Sequence, residues 1–161
     1  MSVIKKQIFS IADLAPFIAE RVSGGASVRF TVTGNSMFPL FANRRDQVTV
    51  TAPTDIRKYD IVLHRRTDGT YILHRVTGRR GDVLTIAGDN ETERETGVNI
   101  SQVIAKVTDF TRKGRDVSVN NPLYRAYSRL WLAVFPARHI ILAILLIVRR
   151  AFSHAKGTDS R

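Results

Sequence analysis

Apolar and polar residues alternate with a period of two through the middle of the chain. Every second residue of 28–32 is apolar, and the same period returns between 61 and 84, where Gly69 and Gly81 mark bends. Such alternation predicts strands with one buried face, and glycines at the bends predict antiparallel hairpins. Further strands are expected at 47–50, 103–107 and 117–119. The pattern predicts a mainly β (α+β) fold, with a compact, antiparallel, barrel-like β domain over residues 28–120.

Helical spacing replaces this alternation at the amino end. Leu14, Phe17, Ile18 and Val22 recur at helical intervals, and Gly24 follows them. This arrangement predicts a short amphipathic helix that ends near the glycine. We therefore expect residues 1–27 to supply a helix that packs on the β domain and carries no chemistry.

The carboxyl end is an apolar tail interrupted by charge. Residues 130–136 and 140–148 are apolar, and Arg138-His139 separates them. A membrane-spanning helix needs about 20 apolar residues, more than either half has. Residues 121–150 are thus predicted to form an amphipathic helix in the interface of an anionic membrane. Packing on the domain and a strained span are the alternatives, and residues 151–161 are expected to be a disordered end.

Composition narrows the class of protein. The chain has 161 residues, 43% of them hydrophobic, which suits one globular domain with an appendage. It has no cysteine, which excludes disulfides, thiolate metal sites and cysteine catalysis. Its formal charge of +11, concentrated toward the end, favours an anionic membrane over nucleic acid as a partner. Met1 to Gln7 does not resemble a signal peptide, so a membrane-associated or cytoplasmic location is expected.

The first candidate for chemistry is a serine at the end of a predicted strand. Gly34 and Asn35 precede Ser36, and Met37, Phe38 and Pro39 follow it. Glycine permits backbone conformations that a side chain forbids, and proline ends regular structure. The sequence therefore predicts a sharp turn that presents the serine hydroxyl, as a nucleophile requires. An ordinary turn would have the same sequence features.

Two later stretches make the nucleophile interpretation more specific. The stretch 59–64 is followed by 71–76, which contains His74 and Arg75, and the stretch 84–90 ends in Gly-Asp-Asn. The first stretch is the Ser36 turn, the second is 59–76 and the third is 84–90. In this order and spacing, the three stretches resemble the signal peptidase I family of the S24/S26 serine peptidases, over residues 28–107. The resemblance implies a fold of the signal-peptidase and LexA type. It also implies that Ser36 is the nucleophile and that His74 occupies the place of the general base. Many bacterial members have lysine there, whereas the archaeal and endoplasmic-reticulum branch has histidine.

A serine hydroxyl is a poor nucleophile and needs a base within hydrogen-bond reach. An imidazole with an ordinary pKa of about 6.5 can accept that proton near neutral pH. By the resemblance, Asp89 of the Gly-Asp-Asn stretch would orient His74. Glu91, Glu93 and Glu95 are the alternatives for this role.

The remaining site residues are less well defined. The Ser36 N–H is the expected oxyanion donor. Some relatives add a hydroxyl two residues earlier, where this chain has Gly34, so Asn35 is the candidate for the second donor. The resemblance makes Met37 and Phe38 candidates for lining shallow substrate pockets. His64 is expected to be a polar residue on a strand face, with a place beside the cleft as the alternative, and neither a metal nor an organic cofactor is implied.

The resulting hypothesis is a serine endopeptidase of the signal-peptidase type that cleaves leader-like or signal-like peptides. Its substrate would be an extended peptide lying beside a sheet edge, cleaved after small residues by analogy with the family. The main alternative is a catalytically inactive homologue that binds peptides or acts as a scaffold. A self-cleaving repressor would use lysine and carry a DNA-reading domain. A nucleic-acid-binding β domain would place aromatic residues among basic ones on its strands.

Overall fold

A computed structural model describes residues 11–155, which form an α+β fold with eight strands and three α-helices. The helices are α1 (Ile11–Ser23), α2 (Pro122–Ala133) and α3 (Arg138–Ala155). The strands are β1 (Val28–Thr31), β2 (Gln47–Thr51), β3 (Ile61–Arg65), β4 (Tyr71–Arg80), β5 (Val83–Ala87), β6 (Glu95–Asn99), β7 (Val103–Arg112) and β8 (Arg115–Ser118). Short 3-10 helices cover Ile100–Gln102 and Phe135–Ala137.

The strands form one antiparallel sheet that stays open. Its order is β1-β2-β7-β3-β4-β5-β6, with β8 paired to β7 off this path. Within the described residues β1 and β6 do not pair, so the sheet is not a closed barrel. The predicted mainly antiparallel α+β class is confirmed, whereas the barrel-like part of the prediction does not extend to a closed barrel. Closure would require the end strands β1 and β6 to pair with each other. Helix α1 packs against β1, β4 and β7.

Burial along the strands shows where the sequence pattern was informative. In β2, Val48 and Val50 are buried and the other three residues of the strand are partly exposed, as alternation predicts. In β3 the four residues from Ile61 to His64 are all buried. Leu63 belongs to the larger hydrophobic core with α1, whereas Val62 belongs to a second core. A central strand covered on both faces needs no alternation.

The amino-terminal helix is confirmed over the described residues. Ala15, Ile18 and Val22 are buried on one face of α1. Phe17, grouped with the apolar face from its spacing, is half exposed, and the Arg21 guanidinium lies over its ring. Residues 1–10 of the predicted segment lie outside the described residues.

The tail is two helices rather than one. The Asn121 side chain caps the start of α2, which buries Tyr124, Trp131 and other residues against the domain. Packing on the domain, one of the alternatives, therefore applies to α2. Helix α3 has an exposed apolar surface and continues to Ala155, beyond the expected boundary at residue 150. The rest of the predicted disordered end, 156–161, lies outside the described residues.

Within residues 11–155, no single helix has both the length and the apolar character to cross a membrane. Pro122–Ala133 and Phe135–Val148 meet that test only as a pair, by length and composition, and they are bent by 65°.

Candidate functional site

The Ser36 turn is held by hydrogen bonds on both sides. Gly34 has a φ of +89°, a conformation that side chains rarely adopt, and its N–H donates to Asn43 Oδ1 at 3.1 Å. The Phe38 N–H donates to the carbonyl of the exposed Asn35 at 3.0 Å. Ser36 itself is partly buried. The sequence thus correctly predicted a turn that depends on glycine at position 34.

The Gly88-Asp89-Asn90 stretch contacts the backbone of this turn. The Asn90 N–H donates to the Ser36 carbonyl oxygen at 2.8 Å. A Cβ atom placed on Gly88 would lie only 2.5 Å from the same oxygen. Glycine is therefore required at position 88 by the close approach of the two backbones.

His74 lies on β4 and its nearest acidic neighbour is Glu91. The imidazole is 1% exposed, and its Nε2 lies 3.2 Å from Glu91 Oε1, although not in the alignment of a hydrogen bond. The other carboxylate oxygen accepts the Gly88 N–H at 3.0 Å. Burial raises the pKa of Glu91, but His74 and the Gly88 N–H lower it by more, so that it lies below its ordinary value. Glu91 is thus an ionised carboxylate beside the imidazole.

Asp89, the residue expected to orient His74, has a different partner. Its Oδ1 and Oδ2 accept hydrogen bonds from Arg75 Nε at 2.8 Å and from Arg75 Nη2 at 2.7 Å, in a buried pair. Asp89 is thus paired with Arg75 and not with His74, and among the acidic alternatives Glu91 is the one that lies beside the imidazole. The reason is the strand period, because neighbouring residues of β4 face opposite sides and Asp89 lies on the side of Arg75.

The Arg75–Asp89 pair connects the sheet to α2. Arg75 Nη1 donates to Ser128 Oγ at 2.9 Å and to the Tyr124 hydroxyl at 3.2 Å. Trp131 Nε1 donates to the Asp89 carbonyl at 3.1 Å. Burial alone would lower the pKa of the Arg75 guanidinium, but Asp89 raises it above its usual value. Helix α2 thus supports the Gly88-Asp89-Asn90 stretch.

Arg138, interpreted from sequence as a charge that splits the apolar tail, is buried beneath the site. Its Nη1 donates to the carbonyls of Gly88 and Glu91 at 2.9 and 3.1 Å. Its Nη2 donates to the Trp131 carbonyl at 3.0 Å. An arginine at a break between two apolar segments is the one sequence signal that pointed to this role. Arg138 of the tail therefore holds the backbone at the start of the Gly88-Asp89-Asn90 stretch and at the residue that follows it.

Ser36, His74 and Glu91 line one cleft of about 220 Å3. Its apolar wall is made by Phe30, Val32, Met37, Leu73 and neighbouring residues. Met37 therefore lies where a substrate-lining residue was predicted, although it is almost fully buried in the core. Phe38 is not among the lining residues. A larger polar cavity of about 520 Å3 contains neither Ser36 nor His74, so we place the chemistry in the smaller cleft.

His64 is not on an exposed polar face but fully buried beside His74, which agrees better with the alternative of a place beside the cleft. The two ring centroids are 5.9 Å apart. Burial and the neighbouring His74 lower the pKa of His64 to about 4, so its ring is neutral near pH 7. Among the described residues, ligating atoms of His64, His74 and Glu95 lie within 4.8 Å of one another. Sequence reasoning missed this cluster, because the three residues come from three different strands.

The assignment of this cleft rests on the residues themselves. No protein-family model, curated protein or solved structure matches the chain. The resemblance of the three stretches to the signal peptidase I family remains a prediction from sequence, to be judged beside the geometry of Ser36, His74 and Glu91.

Proposed function

We propose that the protein is a serine endopeptidase of the signal-peptidase type, with a Ser36–His74 dyad. The observation that carries the proposal is the single cleft lined by Ser36, His74 and Glu91. The contact between Asn90 and Ser36 supports it, because the first and third stretches of the sequence resemblance meet in space. A fold of the signal-peptidase type is part of the same proposal.

The chemistry would proceed by acyl transfer. Ser36 Oγ attacks the scissile carbonyl as a ring nitrogen of His74 takes the hydroxyl proton. When the tetrahedral intermediate collapses, that proton passes to the leaving amine and the peptide remains as an ester of Ser36. Water then hydrolyses the ester, with His74 acting again as base and acid. The ionised Glu91, 3.2 Å from His74, would stabilise the imidazolium formed in both steps.

The substrate would be a leader-like or signal-like peptide in extended form. The cleft of about 220 Å3 suits small side chains, and its walls at Val32, Met37 and Leu73 are apolar. Both properties fit cleavage after small residues. The reaction as proposed uses groups of the chain and water, and needs no cofactor.

Helix α3 would bring the peptidase to an anionic membrane. Ile140, Ile144 and Ile147 are at least half exposed and recur at helical spacing. The sequence continues with Arg149-Arg150. An exposed apolar surface followed by arginines is typical of helices that lie in a membrane interface.

A peptide-binding or scaffold homologue without activity is the second candidate. The near-complete burial of His74 favours it, because a general base must reach the serine proton. This candidate predicts that peptides bind in the same cleft and leave it intact.

Cleavage of a mixed library of leader-type peptides, with anionic vesicles present, would separate the two candidates. The parent would be compared with Ser36→Ala and His74→Ala, and with the matched controls Ser101→Ala and His139→Ala, both at exposed positions. The peptidase predicts that cleavage is lost in the first two variants and kept in both controls, with all proteins folded. Binding of peptides by all five proteins without cleavage would instead establish the binding module.

A further inference from the structure

Three strands bring a set of metal-ligating side chains together. His64 lies on β3, His74 on the neighbouring β4, and Glu95 at the start of β6. One ligating atom from each lies within 4.8 Å of the others. The set combines two imidazoles with one carboxylate, a combination found in three-residue zinc sites.

The two histidines lack the hydrogen bonds that buried polar groups usually make. Among the described residues, neither ring nitrogen of His64 or of His74 has a hydrogen-bond partner, and both rings are at most 1% exposed. Most buried polar groups in folded proteins are paired, so two neighbouring imidazoles without a hydrogen bond need an explanation. A ligand shared by the two rings would give one nitrogen of each ring a partner.

Glu95 is held in a position that leaves one oxygen available. Arg66 Nε and Nη2 contact Glu95 Oε2 at 2.8 and 2.6 Å. Both contacts use the same oxygen, so Oε1 is free of them. Outer residues that orient a ligating carboxylate in this way are common around metal ions.

We propose that His64, His74 and Glu95 bind a divalent transition-metal ion of the zinc class, and that this binding reversibly inhibits the peptidase. The first part stands on the cluster alone, and the second rests on the proposed function. A neutral imidazole has one N–H and one lone pair. Once that lone pair of His74 is bonded to the metal, His74 can no longer accept the proton of Ser36. Only coordination bonds form, and removal of the metal restores the base.

The geometry requires a small contraction. Donors in a tetrahedral site with bonds of about 2.1 Å lie roughly 3.4 Å apart. The observed limit of 4.8 Å thus leaves a little over an ångström to close. Glu95 is partly exposed and near a strand end, so its side chain can move toward the two buried imidazoles. Imidazole ligands favour zinc over magnesium or calcium, which prefer oxygen.

The test measures zinc affinity on the full chain after treatment with a chelator, by competition with a chromophoric chelator. The ligand variants are His64→Leu and Glu95→Gln, and the second keeps an oxygen for Arg66. Glu93→Gln, at an exposed neighbouring position, is the matched control. We expect one zinc ion bound by the parent and by the control, and at least ten-fold weaker binding by both ligand variants. Magnesium should not compete, and circular dichroism verifies that each variant is folded.

The inhibitory part is read from peptide cleavage in the same proteins. Zinc should slow cleavage by the parent and by Glu93→Gln, and a chelator should restore it. Glu95→Gln should need at least ten-fold more zinc for the same fractional loss. Equal zinc affinity in parent and both ligand variants would overturn the site, and so would absence of binding. Zinc that binds the parent without slowing cleavage would overturn the inhibition.

Failure of the peptidase itself is distinguishable from failure of the metal site. Zinc binding is also measured on Ser36→Ala, whose nucleophile is gone and whose three ligands are intact. If the parent cleaves no peptide but Ser36→Ala binds zinc as tightly as the parent, the site is upheld and the inhibitory role is overturned.

Discussion

The backbone N–H of Asn90 donates to the carbonyl oxygen of Ser36 at 2.8 Å. This bond joins the serine turn to the loop that also carries Gly88 and Glu91, and Glu91 lies against His74. The conformation of that loop therefore determines both the position of Ser36 and the charge beside His74.

Replacing Gly88 with alanine should disturb the serine turn. The added Cβ would lie 2.5 Å from the Ser36 carbonyl oxygen, so one of the two backbones must move. We expect a loss of about 1–3 kcal/mol in the free energy of unfolding and a marked loss of peptide cleavage. The matched control is Gly78→Ala, whose Cβ meets only ordinary contacts at 3.7 Å. Denaturant titrations in which Gly88→Ala is no less stable than the control would contradict this close approach.

Breaking the buried Arg75–Asp89 pair should be costly. Arg75→Met leaves the Asp89 carboxylate buried without its partner, which typically costs about 3–5 kcal/mol. The double variant Arg75→Met/Asp89→Leu should recover part of that stability, because no unpaired charge remains. Arg57→Met removes the exposed pair with Asp55 and should have a much smaller effect. Thermal unfolding measures all three, and an equal loss from Arg75→Met and Arg57→Met would refute the structural role of the pair.

Asp46 should make stability depend on pH. Burial raises the pKa of Asp46, but hydrogen bonds from Arg45, Ala42 and Lys113 outweigh it, so its folded pKa lies below the ordinary value. Its contribution is present above the unfolded pKa of about 3.9 and is lost as the pH falls through the folded pKa. Asp46→Asn should therefore be less stable than the parent at pH 7, by about 1.5–3 kcal/mol.

Urea titrations of the parent and Asp46→Asn at several pH values test this dependence. The difference in unfolding free energy should shrink as the pH falls below about 4. A difference that stays constant down to acidic pH would mean that the Asp46 charge contributes nothing.

Helix α3 should bind anionic vesicles. Replacing Ile140, Ile144 and Ile147 with serine removes its exposed apolar surface and should weaken vesicle binding at least ten-fold, since one fully buried isoleucine contributes about 1.5–3 kcal/mol. Leu123→Ser, on the exposed part of α2, is the control and should bind as the parent does. The measurement is co-sedimentation with anionic and with neutral vesicles. Equal binding of parent and triple variant would disprove this role of α3.

Local sequence patterns predicted local structure well. The alternation at 28–32 and around Val48 and Val50 gave strands, and the residues around Gly34 gave a turn. A period of two failed at β3, because this strand is covered on both faces. The sequence also did not show that the sheet stays open, because alternation within strands does not say whether the first and last strands of a sheet pair with each other.

The errors at the site concern residues that meet from distant parts of the chain. Asp89 was predicted to contact His74 because of its place in the Gly-Asp-Asn stretch. It pairs instead with Arg75, whose side chain lies on the opposite face of β4. Arg138 was interpreted by its charge alone, although its donors satisfy carbonyls of a distant loop. His64 was expected on a polar strand face because the packing of β3 between two cores is not encoded in its neighbours. Such pairings depend on which elements pack together, and local pattern does not determine that.

The most direct measurement of the central claim is acylation of Ser36 by an activated peptide ester, located by mass spectrometry of the digested protein. The parent and Ser101→Ala should each carry one acyl group on Ser36, and Ser36→Ala should carry none. His74→Ala should acylate at least a hundred-fold more slowly, since general-base catalysis contributes about 100- to 10,000-fold. Absence of the acyl group from Ser36 in the folded parent, or equal rates in parent and His74→Ala, would contradict the proposed dyad.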